Sequence, residues 1–114
     1  MIFLPSDFIQ YFKLVNGMQS LYPNYNDNEG FLFYPLQKLV TVQKEFKGLQ
    51  NQYSNMIIFA EYMHKSWWYV IDILKDDTYE IGIMPNMSIY KPITTSLNEF
   101  LRLYIDDSEK LYNV

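Results

Sequence analysis

The sequence has no cysteine and a single histidine, His64. The first absence excludes disulfides, thiolate metal centres, iron–sulfur clusters and a cysteine nucleophile together, and it fits a reducing cytoplasm. The second leaves only scattered carboxylates as metal ligands, at no recognised spacing, so neither a metal nor another cofactor is expected. There are 4 glycines in 114 residues, too far apart to form a loop that cradles phosphate. Basic residues number 9 against 13 acidic ones, for a net charge of −4. That balance argues against nonspecific binding to nucleic acid or an anionic membrane, because both need a positive patch. No long apolar run marks a membrane span and no basic-then-apolar leader opens the chain, so a cytoplasmic protein is the expectation.

What the chain does have is apolar material, with 49% hydrophobic residues and 18% aromatic ones, including 11 Tyr, 8 Phe and 2 Trp. A chain this rich does not stay disordered, and its length buries roughly two thirds of its unfolded surface around one core. A single domain over residues 1–114 follows.

Residues 5–17 read as a helix: Pro5 suits its first turn, Asp7 faces its positive end, and Asn16-Gly17 terminate it. Phe8, Tyr11, Phe12 and Val15 form its buried stripe. Residues 19–30 read as a polar loop, residues 31–34 as a short strand, and residues 36–46 as a second, less regular helix ahead of a linker at 49–55. Residues 56–60, 67–73 and 78–83 are strands by their β-branched and aromatic content, the last two joined as an antiparallel hairpin through 75–77. Residues 88–93 add a strand whose Pro92 marks an end or an exposed edge. Ser96-Leu97-Asn98-Glu99 is a capping box that opens a closing helix through Leu97, Phe100, Leu101 and Tyr104. The fold class is α+β, a mostly antiparallel sheet of four to five strands.

These segments, in this order, resemble the SUKH superfamily of Smi/Knr-like cell-wall-synthesis regulators and bacterial toxin-immunity proteins. The resemblance runs through Leu4-Pro5-Ser6-Asp7-Phe8 to Val15-Asn16-Gly17, then Phe33-Tyr34-Pro35-Leu36, then Ile58-Phe59-Ala60. It continues through Ser66-Trp67-Trp68-Tyr69-Val70-Ile71-Asp72, with Ser66 where the family commonly has glycine, and ends on Ser96 to Leu101. It implies helices packed on one side of the sheet and a function in protein binding, in bacteria usually the neutralisation of a toxin such as a nuclease or deaminase.

No constellation for catalysis is expected. His64 would need Glu61 or Asp72 and a serine beside it, yet no nucleophile elbow surrounds Ser66, and an ordinary turn histidine is the simpler account. The acid pairs Asp76-Asp77 and Asp106-Asp107 fall in a turn and a helix tail, where solvated charge is the default. Adjacent Trp67 and Trp68 point to opposite sheet faces, which makes Trp68 a candidate anchor for a partner. Tyr22, Tyr25, Asp27 and Glu29 in the first loop, with Asp76 and Asp77, complete a candidate surface of rigid aromatics and acids suited to a basic toxin domain. The alternative role is a regulatory or scaffold module. With Lys91 and Pro92 guarding the last strand, the chain is expected as a monomer or weak homodimer.

Overall fold

A computed structural model describes residues 4–14, 30–47, 51–75 and 77–112. Its centre is an antiparallel sheet of six strands: β1 (Phe31–Phe33), β2 (Val40–Thr41), β3 (Ile57–Tyr62), β4 (Trp67–Ile73), β5 (Tyr79–Asn86) and β6 (Ile89–Thr94). The spatial order is β1-β3-β4-β5-β6, with β2 pairing the other end of β3. Two nine-residue helices, α1 (Ser6–Leu14) and α3 (Leu97–Ile105), pack on one face. The α+β architecture expected from the sequence is the one observed.

Strict alternation along β4 and β5 divides the side chains. Trp67, Tyr69, Ile71, Tyr79, Ile81 and Ile83 join the core under the helices, whereas Trp68, Val70 and Met84 face the opposite side. A bulge in β3 shifts the register between Ile58↔Val70 and Ala60↔Tyr69. Consecutive residues Phe59 and Ala60 thereby share the helical core, and the next residue, Glu61, contacts Tyr34 of the other cluster. Phe8 enters this core from α1, fully buried, its ring edge-on to Phe59 and Tyr79 at 5.4 Å each. Such aromatic contacts contribute about 0.5–1.5 kcal/mol each beyond the area they bury.

The segment 36–46 departs from the helix its sequence suggests. A 3-10 turn (Leu36–Lys38) leads into β2, and only the four residues of α2 (Val42–Glu45) are helical. The apolar residues there do not keep helical spacing, and the backbone finds better partners in β3. Val40 pairs with Ile58 and Thr41 with Ile57, and the Val42 amide donates to the Met56 carbonyl at 2.8 Å. The Thr41 side chain then caps α2 by accepting from the Lys44 amide at 3.2 Å. This segment covers part of the second sheet face, so α2 lies opposite the two long helices.

Gly82 marks a close approach. A Cβ placed there would lie 2.2 Å from Tyr90 Cε1 and 2.7 Å from the Lys91 carbonyl oxygen. The Tyr90 ring therefore fills the space that a side chain on β5 would take, and its hydroxyl donates to Glu80 Oε1 at 2.6 Å. The β3–β4 turn stores strain: Met63, His64 and Lys65 all have positive φ, at 48°, 54° and 67°. The Ser66 amide closes this left-handed turn by donating to the Tyr62 carbonyl at 2.9 Å.

Candidate functional site

The α1 and α3 termini are tied to each other and to the sheet. The first backbone amide of α1, on Ser6, has no partner within its own helix. It donates to Asp77 Oδ1 at 2.8 Å, and the Ser6 hydroxyl donates to Asp77 Oδ2 at 2.5 Å. Those two bonds, the side-chain one first, hold the Asp77 carboxyl below the usual carboxylate range. Ser96 caps α3 by accepting from the Glu99 amide at 3.2 Å, as the capping box predicts. The Ser96 amide donates instead to Thr94 Oγ1 at 3.3 Å.

Between these points stands Tyr79, whose hydroxyl donates to Asp7 Oδ2 at 2.7 Å and accepts from the Leu97 amide at 2.6 Å. Burial, reinforced by the bond to Asp7, pushes the phenol up to about 12, so it stays protonated and donating at every physiological pH. Tyr79 thus fixes the N-terminal ends of both helices to one atom of β5.

From that fixed end the two helices border a trough of about 510 Å³. Both contribute along their whole length, from Asp7 and Leu97 at one end to Leu14 and Ile105 at the other. Phe33, Leu101 and the rings of Tyr11 and Tyr104 give it an apolar interior, and Asp7, Gln10, Asn98 and the two tyrosine hydroxyls are its polar groups. Leu14 and Ile105 are the most exposed large apolar side chains among the described residues, at 84% and 78%. Burying such a side chain fully is worth about 1.5–3 kcal/mol.

The residues singled out from sequence are spread around the molecule. Tyr22, Tyr25, Asp27, Glu29 and Asp76 lie outside the described residues. Asp77 is exposed and caps α1 from the β4–β5 turn. Trp68 sits on the second sheet face, partly buried, with Phe46 edge-on to it at 5.0 Å. Its Nε1 is buried with no hydrogen-bond partner among the described residues, whereas Trp67 Nε1 donates to the Tyr69 hydroxyl at 3.0 Å.

The groups weighed for chemistry are engaged elsewhere. His64 is exposed on the left-handed turn, and the Ser66 hydroxyl donates to the Met63 carbonyl at 2.8 Å. Glu61 is buried and accepts from the Tyr34 hydroxyl at 2.7 Å. Asp72 faces Glu80 across the β4–β5 pair, and burial followed by that neighbouring charge raises its carboxyl above the ordinary range. Among the described residues no group of three His, Asp or Glu side chains could hold a metal ion, and no helix is long and apolar enough to cross a membrane.

No protein-family model, curated protein or solved structure matches the chain.

The trough escaped the sequence reading because its walls lie some ninety positions apart in the chain. Leu14 falls outside the buried stripe of the first helix and Ile105 is the last residue of the closing one. An aliphatic residue off the buried face of each helix is the one signal that could have pointed there.

Proposed function

We propose that the chain is a protein-binding module without a catalytic step of its own, and specifically an immunity protein that occludes a toxin acting in the cytoplasm. The observation that carries this reading is the apolar trough with Leu14 and Ile105 left exposed at the C-terminal ends of its two helices. Exposed aliphatic side chains gathered at a concave surface are what a partner desolvates on binding.

The resemblance to the SUKH superfamily supplies the class of partner. A nuclease or deaminase domain carries a basic surface for its nucleic-acid substrate, and a chain with a net charge of −4 is attracted to such a surface. Inhibition is then steric, with acids such as the exposed Asp77 contributing to the field that steers the encounter.

Growth rescue tests this. The chain is expressed together with whatever toxin-like domain is encoded beside it, and survival is scored against the toxin alone. Restored growth supports immunity. Continued killing, with the chain shown to be folded and expressed, removes that role and leaves the regulatory or scaffold module in its place.

A further inference from the structure

We infer that the trough between α1 and α3 takes an amphipathic helix with a basic residue at the Asp7 end of its apolar stripe, an inference that rests on the binding-module reading above. The shape is the first argument. Each wall is a nine-residue helix, about 13 Å long, which matches two to three turns of a third helix laid alongside.

The lining is the second argument. A site for a small polar ligand brings several polar groups to one point. Here Asp7, Gln10, Asn98 and the Tyr11 and Tyr104 hydroxyls are strung along the walls, while the Tyr11 ring, Leu14, Leu101 and Ile105 present the surface that leucine-type side chains at i, i+3, i+4 and i+7 would cover.

Charge selects the guest. Asp7 Oδ2 is taken by the Tyr79 hydroxyl, and Oδ1 has no partner among the described residues, which leaves it to accept from an ammonium or guanidinium. Lys13, Arg102 and Asp106 are exposed at or beside the same helices and do not line the trough, so Asp7 is the charged residue of its lining. A second copy of this chain would meet Asp7 with a like net charge of −4, which disfavours self-association there.

Two synthetic four-turn peptides with the same leucine stripe, one flanked by lysines and the other by glutamates, test the inference against the full-length chain. Binding is read by fluorescence anisotropy and by backbone amide shifts. The lysine-flanked peptide should shift amides of α1 and α3 and bind at least about tenfold more tightly than the glutamate-flanked one. Leu14→Glu and Ile105→Glu, both at exposed positions where folding is unaffected, should each weaken it about tenfold or more. Asp7→Asn still accepts from Tyr79 and should narrow the preference between the peptides.

Equal affinity for both peptides, no binding, or a dimer that Leu14→Glu dissociates would overturn the inference. Growth rescue separates it from the broader reading. A Leu14→Glu/Ile105→Glu chain that has lost peptide binding and still rescues growth overturns the trough as the partner's site while immunity stands. Failure of the unaltered chain to rescue removes immunity, and the peptide results then decide the trough by themselves.

Discussion

Asp7 and Tyr79 are 72 positions apart in the chain, and the phenol of one donates to the carboxylate of the other at 2.7 Å. The same hydroxyl receives the buried Leu97 amide, so one oxygen on β5 sets where α1 and α3 begin and how far apart the walls of the trough stand.

Tyr79→Phe removes that oxygen and leaves the Leu97 amide buried without an acceptor. The expected loss is about 1–3 kcal/mol, the cost of an unpaired buried donor. Urea denaturation should show a lower midpoint with an unchanged slope, because the surface exposed on unfolding is the same.

Gly82→Ala should be destabilising by about 1–3 kcal/mol, since the new methyl meets the Tyr90 ring. Tyr90→Ala in the same chain should restore only part of the loss relative to Tyr90→Ala alone. The Lys91 carbonyl lies 2.7 Å from the added carbon and belongs to the backbone of β6.

The two acids with displaced titration act in opposite directions. The folded-state pKa of Asp77 is lowered by its bonds to Ser6, so its contribution to stability is present above the ordinary carboxylate range and is lost as pH falls through the folded value. That of Asp72 is raised, first by burial and then by Glu80, so its charge opposes folding at neutral pH, and protonation relieves this as pH falls through the raised value. Asp77→Asn should therefore lower the urea midpoint at pH 7 and Asp72→Asn should raise it. Both differences should shrink in acid, which midpoints measured from pH 7 to pH 3 would check.

Trp67→Phe and Trp68→Phe remove the same atoms from opposite faces of β4. The first deletes a hydrogen bond to Tyr69, whereas the second deletes a buried donor that has no partner among the described residues. Trp67→Phe should thus cost more than Trp68→Phe, by about 1 kcal/mol, the net worth of a typical hydrogen bond. Paired denaturation curves settle the order.

Strong local periodicity made most elements legible in advance. The Phe8, Tyr11, Phe12 stripe, the Ser96 cap, and the alternation from Trp67 to Ile73 each depend on neighbours within a few residues, and each stands where the pattern puts it. The segment 36–46 did not, because its backbone is satisfied by Ile57, Ile58 and Met56 rather than by its own turns. The site was less visible still. Asp7 reads locally as an acid at a positive helix end, and only the fold shows that it meets Tyr79. Asp77 reads as a solvated turn acid, and only the fold brings Ser6 to both of its oxygens.

Occlusion of a toxin, the function proposed for this chain, is open to a turnover assay. The purified chain is titrated into whatever toxin-like domain is encoded beside it, with the substrate of that domain in excess. Tight occlusion gives a linear loss of turnover that reaches zero at one equivalent. Turnover unchanged by an excess of folded chain would contradict it.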